Sequence, residues 1–354
     1  MPTRGEIGGR QHQLDAIMAR LREAETAVLT THVTPDGDGL GAALALCRWL
    51  RRCGKEAWVI NCSSAPHDLR WLYERGEFHV YSGGRQFKRV QDADVIVATD
   101  IGGSDRLGKM MEPVKRSKAT KLVIDHHIYE NDLFDLELID CHASSSAEIT
   151  YRLLQDLGAD IDVAIAEPLY VGLVSDTGGF AYSATSPAAH EMAAELLEAG
   201  VDPHYVWRKL TCQVPFNKMR FLGLLMARLN LVAEERLVWT SVDLDFLKRN
   251  ETAPRDAFEI VNHFLHLKGV EVGAFFMEIS KTKTKVSMRS AGRIDVCEIA
   301  KGNGGGGHRF AAGCTIEKGL ARAIPTVLDA LERLIVEAEE EDAAAAAGAE
   351  EPAA

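Results

Sequence analysis

The chain has 354 residues, a hydrophobic content of 46% and a formal net charge of −12 at pH 7. This length favours two domains, the apolar content is sufficient for real hydrophobic cores, and no apolar run of about 18 residues indicates a membrane span. The acidic balance argues against broad binding of long nucleic acid, which requires basic stripes. A short anionic substrate held at one site remains compatible with it.

The acidic surplus is concentrated near residue 354. Residues 337–354 contain seven acids and no base, so removing seven negative charges from −12 leaves −5 for the rest of the chain. This Ala/Glu-rich segment is predicted to be a disordered tail.

Cysteine usage and the first residues indicate the compartment. The seven cysteines are scattered and form no C-x-x-C pair, which argues against a disulfide framework or a structural zinc site. Residues 1–10 are polar and Gly-rich and lack the apolar core of a signal peptide. A cytoplasmic location is therefore expected.

The first half of the chain alternates helical periodicity with short apolar strands. Helices are predicted over residues 11–25, 40–52 and 143–156, and strands over residues 27–31, 57–61, 94–99 and 122–125. Residues 164–175 are compatible with a helix or a strand, and a helix is preferred. This alternation predicts a parallel sheet wrapped by helices. Ligands in such folds bind beyond the carboxyl ends of the strands.

The second half begins with helices and then changes character. Helices are predicted over residues 187–199, 202–213, 216–229, 257–267, 296–300 and 324–337, and strands over residues 237–242, 272–279, 285–290 and 310–316. The predicted fold class is α/β, with a parallel-sheet domain over 12–190, a helical linker over 191–230, a smaller α+β domain over 231–336 and the tail over 337–354.

Two adjacent histidines follow the predicted strand that ends at Asp125. Neighbouring side chains on a strand point to opposite faces, so His126 and His127 cannot share one role unless the strand has already ended. One histidine on a metal and the other on a substrate is one interpretation. A surface loop with two incidental histidines is the alternative.

A histidine and four further acids lie near the ends of other predicted elements. His32 and Asp100 follow strands, Asp36 and Asp38 lie in the turn after the first strand, and Asp176 follows the segment 164–175. Each alone could be a turn or helix-capping residue. Together with His126 they form a set of oxygen and nitrogen donors that suits Mn²⁺, Mg²⁺ or Fe²⁺. Four clustered carboxylates repel one another electrostatically when no cation is present, and two divalent ions about 3.5–4 Å apart would remove that repulsion.

These motifs, in this order, resemble the DHH family of phosphoesterases. The family is named for the triplet that stands here as Asp125-His126-His127, and the resemblance extends over roughly residues 12–335. Before the triplet stand His32-x-x-x-Asp36-x-Asp38 and Asp100, and after it stands Asp176-Thr177-Gly178. The size and the glycine-rich motif before His308 are most similar to the oligoribonuclease/pAp-phosphatase (nanoRNase) branch.

The resemblance implies a role for each residue. His32, Asp36 and Asp100 would hold one ion, and the second would be held by Asp38, Asp100, His126 and Asp176. His127 would face the substrate phosphate, and Asp125 would orient His126. Asp100, Asp125 and His127 are accordingly the candidate catalytic residues.

A compact basic region in the second domain is the candidate substrate-binding surface. The bare glycine run could be a flexible linker, and the lysines between 281 and 285 could be a solvated strand face. Glycines let backbone N–H groups approach an anion, and arginine offers a two-pronged donor for phosphate. With the resemblance, we expect a terminal phosphate or a short nucleotide backbone to contact Arg289, Ser290, Gly305, Gly306 and His308.

The predicted function is metal-dependent hydrolysis of short oligoribonucleotides, of 3'-phosphoadenosine 5'-phosphate (pAp), or of both, in which two ions activate a bridging water. Alternatives on the same scaffold are a cyclic or linear dinucleotide phosphodiesterase, an inorganic pyrophosphatase and a RecJ-like single-strand exonuclease. A nucleotide- or nucleic-acid-binding module is the non-enzymatic alternative. Two Mn²⁺ ions are the expected cofactors, with Mg²⁺ or Fe²⁺ as options, and a homodimer is compatible with the sequence.

Overall fold

The chain divides into two units, Met1–Gln213 and Val214–Ala354. A computed structural model describes residues 4–130, 132–251 and 260–349. The first unit contains a parallel sheet between helices and the second a mixed sheet with helices, which confirms the predicted fold class. Within the described ranges, no helix is long and apolar enough to cross a membrane.

The first unit is built on a six-stranded sheet in which all neighbours are parallel. Its strands are β1 (Thr26–Thr30), β2 (Glu56–Asn61), β3 (Phe78–Val80), β4 (Val95–Thr99), β5 (Thr120–Asp125) and β6 (Leu136–Ile139). The strand order is β3-β2-β1-β4-β5-β6. The winding direction reverses between β1 and β4, so their carboxyl ends flank the crevice where ligands bind in such sheets.

Helices cover both faces of this sheet. They are α1 (Arg4–Glu23), α2 (Gly37–Arg52), α3 (Gly84–Asp92), α4 (Met111–Arg116), α5 (Ser146–Asp156), α6 (Val163–Asp176), α7 (Pro187–Glu198) and α8 (Pro203–Thr211), with 3₁₀ helices at His67–Leu72 and Ser104–Met110. Alternate residues of β5 enter different cores, because Leu122 and Ile124 pack on one face and Val123 on the other.

The second unit contains a six-stranded mixed sheet of order β11-β12-β10-β9-β8-β7. Its strands are β7 (Asn230–Val232), β8 (Leu237–Val242), β9 (Val272–Ser280), β10 (Lys283–Ser290), β11 (Gly306–His308) and β12 (Ala311–Ile316). Its helices are α9 (Phe216–Met226), α10 (Leu244–Arg249), α11 (Val261–Phe264), α12 (Val296–Gly302) and α13 (Leu320–Ala349). Phe275 and Phe276 point into separate cores on the two sheet faces.

Several elements differ from the sequence predictions. The short strands β3 and β6 were not predicted, and β6 is only half-buried along its length, so it lacks the alternating pattern on which strand prediction depends. The glycine run contributes its last two residues to β11. The predicted helix over 257–267 lies partly outside the described residues.

The largest difference concerns the predicted tail. Helix α13 continues to Ala349, whereas disorder was predicted from residue 337. The physical reason is that alanine and glutamate are among the strongest helix-forming residues. The predicted linker, 191–230, spans the division between the units, with α7 and α8 in the first unit and α9 in the second.

Candidate metal centre

The loop between β1 and α2 places a histidine and an aspartate side by side. His32 follows β1 and is buried, with Nε2 lying 3.3 Å from Asp36 Oδ2. Asp36 is the N-cap of α2, and its Oδ1 accepts hydrogen bonds from the backbone N–H groups of Asp38 and Gly39, both at 3.1 Å. One oxygen of Asp36 therefore starts the helix, and the other faces His32.

Asp38 is fully buried against the N-terminus of α5. Its Oδ2 accepts a hydrogen bond from the backbone N–H of Ser146 at 2.6 Å, and its Oδ1 accepts one from Ala147 at 2.8 Å. The first turn of a helix offers unpaired N–H groups and a positive dipole end. Helix α5 therefore fixes this carboxylate in place and partly offsets the cost of burying its charge.

Asp100 lies at the centre of the cluster, directly after β4. Its Oδ2 is 3.6 Å from His32 Nε2, whereas its Oδ1 is 3.6 Å from His126 Nε2 and 3.3 Å from His127 Nδ1. Asp100 is almost completely buried. Its two oxygens therefore face two different sets of histidines.

Strand β5 ends at Asp125, so the two histidines that follow are not held on opposite faces. Their rings lie 4.4 Å apart in an edge-to-face arrangement, and both approach Asp100. Asp125 accepts a hydrogen bond from His127 Nδ1 at 2.9 Å. The resemblance implied that Asp125 orients His126, and the structure instead places it against His127.

The second oxygen of Asp125 holds the loop that follows β4. Its Oδ2 accepts hydrogen bonds from the backbone N–H groups of Ile101 and Gly102, at 2.8 and 2.7 Å. Asp125 therefore connects the ends of two neighbouring strands. This explains why a fully buried acid stands at this position.

The structure brings the predicted metal ligands together in overlapping groups. Nε2 of His126 lies 3.1 Å from Asp176 Oδ2, at the end of α6, and 4.0 Å from Asp38 Oδ2. The sets whose ligand atoms lie within 4.8 Å of one another are His32–Asp36–Asp100, Asp38–His126–Asp176 and Asp100–His126–His127. The first is the set that the resemblance implies for one ion, and the second contains three of the four residues implied for the other, without Asp100. The third also includes His127.

The histidines of the cluster are strongly perturbed. Burial lowers the pKa of His32, but the carboxylates of Asp100 and Asp36 outweigh burial and raise that pKa to about 9. Burial also lowers the pKa of His126, and the carboxylates of Asp100 and Asp176 raise it to about 11. Without cations, these imidazoles therefore carry protons that balance the acids.

The carboxylates are perturbed in opposite directions. Burial raises the pKa of Asp38 well above its ordinary value, and the negative charges of Asp100 and Asp176 add to this effect. Burial disfavours the charged form of Asp100 as well, but the three neighbouring histidines hold its pKa below the ordinary value. Opposite shifts within one cluster are typical of a functional site.

Unpartnered buried atoms test whether cations fit this cluster. Among the described residues, His32 Nε2, Asp100 Oδ1 and His126 Nε2 are buried without a hydrogen bond of acceptable geometry. Buried polar atoms are normally paired, and these three point into the cluster of carboxylate and imidazole donors. The donor set and the unpartnered atoms both fit divalent metal ions.

The candidate substrate-binding residues of the second unit occupy one part of its sheet. In the ladder, Arg289 on β10 and His308 on β11 both pair with Ala311 of β12, so they share one sheet face. Ser290 is buried, and its hydroxyl accepts a hydrogen bond from Ile294 N–H at 3.1 Å. The hydroxyl of Ser290 therefore helps to form the turn after β10.

The two candidate glycines differ in their surroundings. A Cβ at Gly305 would lie 2.3 Å from the carbonyl oxygen of Gly313, whereas one at Gly306 would meet no atom within 4 Å. Gly305 is therefore required by close backbone contact within the second unit.

The hydrogen bonds that the N-terminus of α5 donates to Asp38 were not predicted from the sequence. Ser145 is the N-cap of α5, and its hydroxyl accepts a hydrogen bond from Glu148 N–H at 3.1 Å. Glu148 in turn accepts one from Ser144 N–H at 2.8 Å. The Ser-x-x-Glu spacing of a capping box is visible in the sequence and indicates where this helix starts. It does not indicate that the helix contacts Asp38.

Comparisons with known proteins identify the family. The DHH family N-terminal domain matches residues 26–173, and the DHHA1 domain matches residues 239–337. A bifunctional oligoribonuclease and PAP phosphatase NrnA from Thermus thermophilus is 31% identical, and the alignment covers 86% of this chain and 88% of the relative. The chain belongs to the DHH family. The resemblance seen in the sequence is thereby confirmed.

Two further proteins are similar to this chain. A Bacillus subtilis protein of the same name is 26% identical, with 82% of this chain and 90% of the relative aligned. The crystal structure of an exopolyphosphatase-related protein from Bacteroides fragilis matches with a TM-score of 0.84 and 27% identity, covering 93% of this chain and 98% of the other. The DHH chain thus shares its length and fold with these proteins.

Proposed function

We propose that the protein is a metal-dependent phosphoesterase that hydrolyses short oligoribonucleotides, pAp, or both. The observation that carries this proposal is the cluster of buried carboxylates and histidines at the carboxyl edge of the first sheet, in which three buried polar atoms have no hydrogen bond to any described residue. The proteins named NrnA support the substrate class, because they align over most of their length.

The geometry supports an assignment of ligands to two ions, for which Mn²⁺ is the first candidate. His32, Asp36 and Asp100 would hold one ion, and the other would be held by Asp38, Asp100, His126 and Asp176. Asp100 would be shared, since its two oxygens face His32 and His126 separately. Bound ions of this kind neutralise phosphate charge and lower the pKa of water, which supplies the nucleophile.

His127 is proposed to contact the substrate phosphate. The carboxylate of Asp100 raises the pKa of His127 to about 9, and Asp125 adds to this effect. Asp125 engages Nδ1, which leaves Nε2 available to a ligand, and the side chain is 46% exposed. A protonated imidazole in this position can stabilise a phosphate oxygen or protonate the leaving oxygen.

The remaining roles complete the proposal. Asp125 would orient His127 and the loop after β4 through the hydrogen bonds described above. In the second unit, Arg289, His308 and the glycine-rich turn would bind a terminal phosphate of the substrate. Hydrolysis adds water across one P–O bond and leaves a hydroxyl on the nucleoside. The residues of the second unit break no bond in this step; they position the phosphate and offset its negative charge.

A substrate panel tests the proposal. The metal-loaded full chain is incubated with pAp, RNA of two to five nucleotides, pApA, cyclic di-AMP and pyrophosphate, with Mn²⁺ or with a chelator. We expect Mn²⁺-dependent release of phosphate from pAp or of mononucleotides from short RNA. Preference for cyclic di-AMP or pyrophosphate, or turnover that survives the chelator, would replace this function by another.

A further inference from the structure

Arg106 presents a positive charge that no described residue pairs. It lies on the 3₁₀ helix Ser104–Met110, after β4, and its side chain is half-buried. Its hydrogen bonds use backbone atoms, because Arg106 N–H donates to Gly103 O at 3.1 Å and Val33 N–H donates to Arg106 O at 2.8 Å. Within the described ranges the guanidinium has no hydrogen bond or ion pair.

The guanidinium lies next to the metal centre. A Cβ built on Gly102 would be 2.9 Å from Arg106 Nη1 and 3.6 Å from His127 Cγ. The two distances together limit the separation of Nη1 and Cγ to 6.5 Å. Gly102 itself is held in place, because its N–H donates to Asp125 Oδ2 at 2.7 Å. The absence of a side chain at residue 102 therefore leaves room for Arg106 beside the His127 ring.

An unpaired cation is unusual so close to a group of carboxylates. A guanidinium keeps its proton in proteins and donates hydrogen bonds only, so Arg106 cannot be a metal ligand. Its planar fork matches two oxygens of a phosphate. Charge-assisted N–H···O bonds are about 2.8 Å long, and Nη1 of Arg106 lies within 6.5 Å of the His127 ring, so one phosphate group can reach both side chains.

We propose that Arg106 binds the phosphate group that the enzyme hydrolyses, together with His127. This inference rests on the proposed function and adds a cation from the first unit to the substrate site. Arg106 transfers no proton. It stabilises the negative charge of the phosphate oxygens as the P–O bond to the leaving group breaks.

The test compares Arg106→Ala and Arg106→Lys with Lys109→Ala, which removes an exposed charge from the same 3₁₀ helix. For the metal-loaded full chain acting on pAp or short RNA, we expect Arg106→Ala to lower kcat/KM by roughly 10- to 100-fold, as for a lost hydrogen bond to a charged group. Arg106→Lys recovers part of this loss, and Lys109→Ala has no effect. Metal content per chain stays at the wild-type value in all three.

Binding of inorganic phosphate to the metal-loaded protein, measured by calorimetry, gives a second readout. We expect Arg106→Ala to weaken it by a similar factor. Unchanged kcat/KM and unchanged phosphate binding would overturn the role of Arg106, and so would a loss of metal ions in Arg106→Ala. If the wild type hydrolyses none of the panel, the proposed function fails, and phosphate binding still decides the role of Arg106 separately.

Discussion

Asp100 shows how one backbone conformation organises the metal centre. Its φ of 53° lies in the left-handed region, which aspartate tolerates better than most residues. Its N–H donates to Ile124 O at 3.0 Å, so the residue stays attached to β5 while the chain turns away from β4. This turn lets the two carboxylate oxygens face opposite sides of the cluster.

The two neighbouring histidines should respond differently to substitution. His126→Ala removes a ring that contacts three carboxylates, so we expect it to lose at least one metal ion per chain. His127→Ala removes a half-exposed ring held by Asp125, so we expect it to keep both ions and lower kcat by about 10²- to 10⁴-fold. Elemental analysis and steady-state kinetics measure these effects.

His142→Ala is the matched control, because His142 is an exposed histidine of the same unit. It should leave both measurements unchanged. Equal metal loss in His126→Ala and His127→Ala would contradict the separate roles. It would favour a site in which His127 is itself a ligand, as its proximity to Asp100 and His126 allows.

The sequence indicated which residues form the metal centre better than it indicated which of them hydrogen-bond to one another. His32, Asp36 and Asp100 were selected because each follows a buried strand or begins a turn, and a parallel sheet brings such ends to one edge. The hydrogen bond between Asp125 and His127 could not be predicted, because it depends on where β5 ends. One residue more of strand would have placed the two histidines on opposite faces.

At the scale of elements, α2 is anchored at both ends. Its N-terminus carries Asp36 and Asp38, and Arg48, one turn before its end, binds Glu77. The guanidinium of Arg48 donates to Glu77 Oε1 at 3.0 Å and to Oε2 at 2.8 Å, and also to the carbonyl oxygens of Leu72 and Ala164, both at 2.7 Å. The two hydrogen bonds to carbonyl oxygens hold α2 against the 3₁₀ helix His67–Leu72 and the start of α6, and the ion pair joins it to the residue before β3.

The ion pair between Arg48 and Glu77 should make the free energy of unfolding decrease at low pH. Burial raises the pKa of Glu77, but Arg48 outweighs burial and holds that pKa below its ordinary value of 4.5. The stabilisation is therefore fully present above pH 4.5 and is lost as the pH falls through the pKa of the folded state. We expect Glu77→Gln to lower the free energy of unfolding by about 3–5 kcal/mol at pH 7, and by less below pH 4.

Urea denaturation of the metal-free protein at both pH values measures this difference. Glu74→Gln, which neutralises an exposed acid three residues earlier, is the control and should cost little at either pH. An equal loss for Glu77→Gln at pH 7 and below pH 4 would show that packing, and not the charge of Glu77, accounts for the stabilisation.

Most long elements were predictable from periodicity, and the short ones were not. Residues 164–175 were ambiguous between helix and strand, with a helix preferred, and they form helix α6 although Pro168 lies inside it. The edge strands β3 and β6 were missed, since three or four half-buried residues carry too little pattern. The support that α5 gives to Asp38 also escaped prediction, because it joins residues more than 100 positions apart.

At the scale of the whole molecule, each unit has cores on both faces of its own sheet. The sequence predicted an α/β unit followed by an α+β unit, because the pattern changes near Leu231, where a run of predicted helices is followed by strands. It could not predict the strand order, which depends on long-range pairing such as that of β1 with β4. That pairing brings His32 and Asp100 together across the reversal point of the sheet.

The metal centre as a shared two-ion site is the central claim, and Asp100→Asn tests it most directly. Asp156→Asn, which neutralises an exposed carboxylate on α5, is the control. We measure bound Mn²⁺ per chain and turnover of pAp and short RNA in both variants of the full chain. We predict two ions and normal turnover for Asp156→Asn, and fewer than two ions with at least about 10³-fold slower turnover for Asp100→Asn. Two bound ions with near-normal turnover in Asp100→Asn would contradict the account.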